Sequence, residues 1–567
     1  MSHKIIIYQV FTRLFGNLVI THKEWGSISE NGCGKMNDFT DGVLDSIRNN
    51  GVSHIWYTGL IRHATQTDYS KFGIPQCHKA IVKGVAGSPY AITDYYDIDP
   101  DLAVDVNDRM GEFEHLVKRT HKAKLKVIID FVPNHVARQY HSIRKPVSVR
   151  DLGEDDDVNM NFSSSNNFYY CTGTPLQPQF DNCQGEAEPY TEMPAKATGN
   201  DRFDNRPDVN DWYETVKLNY GVDYCGGRSC HFDPIPDTWN KMLNILLFWA
   251  SKGIDGFRCD MAEMVPVEFW QWVTSKVKDQ YPTIFFIGEV YNPAEYRNYI
   301  DKGGFDFLYD KVGMYDTLRS VISGNAPASS ITDAWQGLDD IHDHTLFFLE
   351  NHDEQRVASD FFAGDATKSL PALIVSLLLR QNPFMLYFGQ EFGERGMDKE
   401  GFSGLDGRTT IFDYWTISSV NRWLTGNLTS SERSLWSVYH RMLHIASNEK
   451  AVSEGEFFDL MYVNPLSWCF NPERQYGFLR KCGSEVLLVV VNFDTKNVSV
   501  EVKIPKHAFD YLGIPQSKII ANDLLSGEIQ TFNLSYDCNV AMDINSCSGK
   551  IYKFSVKDGS RIRVKRA

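Results

Sequence analysis

Gly256-Phe257-Arg258-Cys259-Asp260 decides how this chain is read. It is a short apolar run of strand character that ends on a carboxylate. The design returns in Phe285-Phe286-Ile287-Gly288-Glu289, and again in Glu350-Asn351-His352-Asp353 behind an apolar run at 346–349. Working outward from these, eight strand-like runs can be counted, at 5–10, 54–57, 127–131, 256–258, 284–287, 305–309, 346–349 and 384–388. Helical spacing fills most of the intervals. Met242, Ile245, Leu246 and Trp249 recur on one face of a helix over 239–251, with Asp237 placed as its cap, and 269–277 and 435–445 repeat the pattern. Strand and helix alternating over this length predict an α/β fold, a parallel (β/α)8 TIM barrel. Chemistry in such a barrel sits at the carboxyl ends of the strands, where these carboxylates fall.

The barrel pattern is interrupted once and then stops. Residues 136–235 are polar and rich in Asp, Asn, Gly and Pro. A structureless loop of that length is rare, so this reads as a small irregular domain inserted after the third strand. After about residue 448 come runs at 476–480, 486–492 and 498–504, separated by turn residues such as Asp494 and Lys496. The division is therefore 1–135 and 236–448 for the barrel, 136–235 for the insertion, and 449–567 for a C-terminal antiparallel β-sandwich domain. A chain of 567 residues is expected to hold two or three such units.

Composition narrows the function classes. Hydrophobic content of 42% and charged content of 23% are ordinary for a globular protein. A net charge of -16 argues against nucleic acid as a partner, while a neutral polymer would not be repelled. The basic run at 561–566 reads as a solvated terminus. No apolar run is long enough to span a membrane, and no signal peptide precedes the first strand-like run, so a cytoplasmic location is expected, with export the alternative if a signal segment has been removed. Eleven cysteines, an odd number, suit free thiols in a reducing compartment. Cys225, Cys230 and His231 lie close together without a standard zinc spacing. No organic cofactor is implied, and oligomeric state is not legible.

The strand-end residues carry the chemistry. Arg258 and Asp260 are two apart and share one face of an extended strand, so the guanidinium keeps the carboxylate ionised, as a nucleophile requires. Glu289 ends an apolar strand, a setting that raises a carboxyl's pKa and suits a general acid and base. Asp353 and His352 are placed to hold sugar hydroxyls. On 128–135, Asp130 supports the site, His135 is a donor to a hydroxyl, and Asn134 offers an oxygen to a hard cation such as calcium. Taken singly, the Arg258–Asp260 pair is equally a structural ion pair, Glu289 a helix cap and His352-Asp353 a turn. Three carboxylates in this order are the set that cleaves a glycosidic bond.

These four segments resemble the conserved regions of the α-amylase superfamily, glycoside hydrolase family 13, and the resemblance covers the whole chain. It implies a retaining double displacement on an α-glucan, with Asp260 as nucleophile, Glu289 as acid/base, Asp353 as transition-state stabiliser, and Arg258, His135 and His352 holding the sugar and the nucleophile. Ser88-Pro89-Tyr90 before Asp94-Tyr95-Tyr96 resembles the segment whose tyrosine stacks under the sugar, which points to Tyr90. Gly389-Gln390-Glu391-Phe392-Gly393 resembles the eighth-strand end. Many plain α-amylases carry Lys-His three and four residues past the nucleophile, where this chain has Glu263 and Met264. Glu263 is the candidate there to bind leaving-group hydroxyls. The run at 261–266 and Lys217-Leu218-Asn219 look more like neopullulanase and cyclomaltodextrinase relatives. The resemblance also implies calcium, with Asn134 and Asn219 at two ligand positions. Asp201, Asp204 and Asp208 in the insertion are further oxygen donors or, more simply, an acidic solvated loop. Two uncharged positions fall short of the ~6–8 oxygens calcium takes, so a metal-free protein stays an equal alternative. Trp212 and Tyr213 are candidates for a sugar platform. A 4-α-glucanotransferase or maltosyltransferase would use the same covalent intermediate. A non-catalytic relative would have lost the carboxylates that this chain keeps.

Overall fold

The computed structural model describes residues 4–338 and 340–557, so the basic run at 561–566 lies outside the described residues. Eight parallel strands close into a barrel: β1 (Ile6–Phe11), β2 (His54–Thr58), β3 (Lys126–Phe131), β4 (Gly256–Cys259), β5 (Phe285–Gly288), β6 (Phe307–Tyr309), β7 (Thr345–Phe348) and β8 (Phe384–Tyr387). Each neighbour in this order is hydrogen-bonded to the next, and β1 pairs with β8 to close the ring. The (β/α)8 expectation holds.

The two-residue alternation of a strand sorts side chains between two cores. Ile7, Trp56, Ile128, Ile287, Tyr309, Leu346, Phe348 and Met385 pack together inside the barrel. Their neighbours in sequence, among them Ile6, Ile55, Val127, Phe257, Phe286 and Phe347, face outward into the larger core beneath the helices. On β4, Phe257 and Cys259 belong to that outer core. Arg258 and Asp260 therefore point inward, and register sets Arg258 beside Asp130 of β3 and Ile287 of β5.

Helices Arg109–Lys122 (α1), Asp237–Ser251 (α2), Val267–Gln280 (α3), Leu370–Leu378 (α4) and Ser430–Asn448 (α5) are the longer elements of the outer layer. Asp237 is the first residue of α2 rather than its cap: Pro236 precedes it, and its carboxylate pairs with Lys241 one turn on at 2.8 Å. All but the first residue of α4 are buried, and mean hydropathy is high on every face. The C-terminal strands cover the side that the barrel leaves open, as a helix apolar all round requires.

Between β3 and α2 the chain forms only short bridges. The first, His135–Ala137 against Thr215–Lys217, brings both ends of the inserted segment to the mouth of the barrel. The C-terminal region has strands β9 (Glu456–Asp459), β10 (Gln475–Cys482), β11 (Glu485–Asn492), β12 (Val498–Ile504), β13 (Ser517–Asp523), β14 (Ile529–Leu534), β15 (Cys538–Ile544) and β16 (Ser548–Ser555). They make a six-stranded antiparallel sheet, β9-β10-β11-β16-β13-β14, and a separate pair, β12-β15.

One side chain fastens this region to the barrel. Arg480 on β10 is 1% exposed and donates to the carbonyls of Leu379, Ala451, Val452 and Gly455 at 2.7–2.9 Å. Burial, and the nearby charge of Arg380, push its pKa down to about 9. Replacing it orphans four buried acceptors at ~1–3 kcal/mol each. Arg480→Met is expected to lower the thermal unfolding temperature by several degrees in calorimetry, whereas the exposed Lys518→Met leaves it within the error of the measurement.

Candidate active site

Three carboxylates surround one guanidinium at the carboxyl end of the barrel, and a fourth, Asp353, lines the same cavity. Arg258 has no solvent-exposed surface. Its Nη1 donates to Asp260 Oδ1 at 2.7 Å, its Nη2 lies 2.8 Å from Glu289 Oε2, and Asp130 Oδ1 is 3.7 Å away. The rings of Trp56, Tyr90 and Tyr309 pack around the cation at 5.2–5.5 Å. Each carboxylate arrives on a strand end: the Asp260 amide continues the β3–β4 ladder by donating to Phe131, and the Glu289 amide continues β4–β5 by donating to Cys259.

Glu289 is held on both oxygens. Oε2 accepts the Met261 amide at 2.8 Å, and Oε1 accepts the Tyr291 hydroxyl at 2.5 Å. Met261 has a left-handed backbone, φ 43°, a strained conformation for a side chain of its size that directs this N–H. Asp353 completes the set. Its side chain is 40% exposed, at the floor of the pocket, with one oxygen 3.1 Å from His352 Nε2.

Crowding controls the protons here. Burial pushes the Asp260 carboxyl well up from its usual range; Arg258 opposes this and the charge of Glu289 adds to it. Desolvation in the pocket, then the charge of Glu289, push Asp353 up to about 7. Burial likewise lifts Asp130 to about 6. One guanidinium offsets burial and mutual repulsion only in part, so Asp260, Asp353 and Asp130 all hold a proton more tightly than free carboxylates do.

Both histidines are neutral. Burial, then Lys217 and Lys83, push His135 down to about 3, and burial next to Arg258 pushes His352 well below its usual value. Asn134 Nδ2 is 3.1 Å from His135 Nδ1, and Gln9 Nε2 is 2.8 Å from His352 Nδ1. An amide N–H facing Nδ1 leaves the ring proton on Nε2, a donor in each case. His352 Nε2 also meets the Tyr90 hydroxyl at 2.6 Å. The cavity at this site is about 250 Å³ and is lined by Tyr90, His135, Asp260, Glu289, Tyr291 and Asp353, with Trp212 in its wall. Larger cavities, about 870 Å³ at the C-terminal domain and about 550 Å³ in the inserted segment, lack this carboxylate set.

Of the residues singled out in the sequence, Asp260, Glu289, Asp353, Arg258, His352, Tyr90 and His135 are brought together. Glu263 is not in the cavity wall. Its Oε2 accepts the backbone amides of Tyr291 and Asn292, both at 3.0 Å, so it fastens the loop after β5. Trp212 sits with its ring 5.2 Å from His135, while Tyr213 is buried beside Phe180 and beneath Lys83. Tyr291 and Met261 were not singled out. Tyr291 lies two residues past Glu289, a spacing that returns a side chain to the same face of an extended segment, and this signal could have found it.

The expected calcium ligands do not fit that ion. Asn134 Oδ1 accepts the Lys217 ammonium, which also lies 2.7 Å from Asp201 and donates to the Met264 carbonyl at 3.2 Å. Asn219 spends its oxygen on the Gly221 amide at 2.8 Å and its N–H on Ser163. Asp204 pairs with Arg202. Among the described residues no group of three or more His, Cys, Asp or Glu is arranged for a metal, and all eleven cysteines are free thiols. The Lys217 ammonium, 2% exposed, ties the inserted segment to the barrel where a cation was expected. EDTA is therefore expected to leave the unfolding temperature unchanged. Lys217→Met, which leaves Asp201 and Asn134 unpaired, is expected to lower it by an amount equivalent to ~3 kcal/mol or more.

The model of the family described as "Alpha amylase, catalytic domain" matches residues 24–510. Alpha-amylase 3 of Dictyoglomus thermophilum is 26% identical over 479 residues, covering 80% of this chain and 83% of that protein. Neopullulanase 2 of Thermoactinomyces vulgaris is 20% identical over 528 residues, covering 89% and 72%. Among solved structures, the noncanonic maltogenic alpha-amylase AmyB from Thermotoga neapolitana superimposes with a TM-score of 0.62 at 21% identity, over 97% of this chain and 99% of that one. With the match running from the loop after β1 into the C-terminal strands, the chain belongs to the α-amylase family of glycoside hydrolases, glycoside hydrolase family 13.

Proposed function

We propose that the protein is a retaining α-glucan hydrolase that cleaves α-1,4-glucosidic bonds in starch, glycogen or maltodextrins. The observation that carries this is Arg258 spanning Asp260 and Glu289 with its two terminal nitrogens. One fork on both carboxylates favours the close spacing of about 5 Å found in retaining pairs over the ~6.5–9.5 Å that admits a water between them.

In the first step an Asp260 oxygen bonds to the anomeric carbon as the bond to the leaving oxygen breaks. The proton on Glu289 goes to that oxygen. In the second step Glu289 takes a proton from water, and the hydroxide oxygen displaces Asp260. Asp353 stabilises the positive charge that builds on the ring, the Nε2 proton of His135 holds a sugar hydroxyl, and His352 acts through the Tyr90 hydroxyl and Asp353 that its Nε2 contacts. The neutral histidines add no positive charge near that ring.

Asp260→Asn and Glu289→Gln are each expected to reduce turnover of maltoheptaose by about 10⁴-fold or more with the fold intact by circular dichroism. The wild-type products are expected to be shorter maltooligosaccharides released as the α-anomer. Near-normal turnover in either variant would end this assignment, and products longer than the substrate would mark transfer to a sugar in place of water.

Tyr291 adds a further test. Its hydroxyl donates to Glu289 Oε1 at 2.5 Å. Tyr291→Phe is expected to lower kcat by ~10-fold or more with little change in KM, since a hydrogen bond to a charged group contributes ~1.5–3 kcal/mol. An unchanged kcat would reduce Tyr291 to a wall residue.

A further inference from the structure

Glu289 stands on β5, and in an eight-strand ring the strands across from it are β8, β1 and β2. The acid/base marks the leaving-group side of the bond, so the loops after β2 and β8 bound the other side, where the chain being cleaved presents its non-reducing portion. A cleft that admits the middle of a polymer needs a gap there.

The described loops meet there. The Ala86 amide donates to the Phe412 carbonyl at 3.1 Å, joining the loop after β2 to the loop after β8. These loops meet so closely that a Cβ on Gly84, at φ 69°, would lie 2.2 Å from the Phe412 carbonyl oxygen. Arg13, 2% exposed, reinforces the seam by donating to Ala86, Gly87 and Ile411 at 3.0–3.3 Å. The third side is closed from the inserted segment. Lys83 Nζ lies 3.1 Å from Glu214 Oε2, donates to the Asp211 carbonyl at 3.2 Å, and packs over the Tyr213 ring at 5.2 Å. Lys83, Glu214, Trp212, Ile411 and Phe412 all line the catalytic cavity. At about 250 Å³ that cavity falls below the ~300 Å³ at which ordinary ligand pockets begin.

We propose that the side of the site opposite Glu289 is a blind pocket latched by Lys83, so that the enzyme attacks α-glucans from the non-reducing end and releases glucose or maltose. This rests on the α-glucan reading above. Lys83 is then a specificity-determining residue: its bridge to Asp211 and Glu214 closes the path that a longer chain would take. Glu214 neutralises it, leaving an uncharged wall for an uncharged sugar.

The test compares maltoheptaose with the same oligosaccharide carrying a 4,6-ethylidene cap on its non-reducing glucose. The wild-type protein is expected to cleave the free substrate, with glucose or maltose as the earliest product by mass spectrometry, and to cleave the capped one at least about 100-fold more slowly. Equal rates with mid-length products would overturn the blind pocket and leave the hydrolase assignment standing. Failure on both substrates would overturn both. Lys83→Ala is expected to narrow the difference at least about 10-fold, while Lys83→Arg preserves it. A folded Lys83→Ala protein that rejects the capped substrate as the wild type does would refute the latch.

Discussion

A buried guanidinium among carboxylates is the constraint around which this molecule is arranged. Arg258 has no solvent-exposed surface, and a cation so placed is tolerated only where its charge and donors are met. Asp260, Glu289 and Asp130 meet them from three adjacent strands, and three aromatic rings exclude solvent. The requirement runs both ways: without Arg258 the carboxylates would repel one another, and without them the cation would be stranded. Strand register, barrel closure and the inner apolar layer beneath Trp56 and Tyr309 all hold this one cluster in place.

Much of the barrel was legible because buried parallel strands read as near-continuous apolar runs, and each catalytic carboxylate ends one of them. The cluster was legible for the same reason, since two-residue spacing puts Arg258 and Asp260 on one face. What escaped the sequence is whatever depends on contact between distant segments. Glu263 carries no mark that its carboxylate is spent on the amides of 291 and 292. Asn134 and Asn219 look like ligands until the Lys217 ammonium is seen on one of them and the Gly221 amide on the other. Lys83 and Glu214 lie far apart in the chain, and no local pattern joins them. The inserted segment gave no element boundaries because its strands are two or three residues long, too short to show a period.

The three regions are fastened by cationic side chains that are themselves buried. Lys217 and Lys83 join the inserted segment to the barrel, and Arg480 joins the C-terminal strands to it. Each reaches backbone carbonyls as well as, or in place of, carboxylates. Carbonyl acceptors fix direction as well as charge, so these contacts set orientation between segments that share little regular structure. For a pocket assembled from loops of two regions, that orientation decides which groups face the substrate.

Closing the barrel also has a consequence in time. β1 lies between β8 and β2, and Ile6 pairs with Phe384. On the ribosome the first strand emerges long before its second partner, which follows roughly 380 residues later, or ~20–75 s at ~5–20 residues per second. Through that interval an apolar strand, Ile-Ile-Tyr-Gln-Val-Phe, has one edge unpaired. Nascent chains of this protein are thus exposed to edge-to-edge association for most of their synthesis, and slower translation lengthens that exposure.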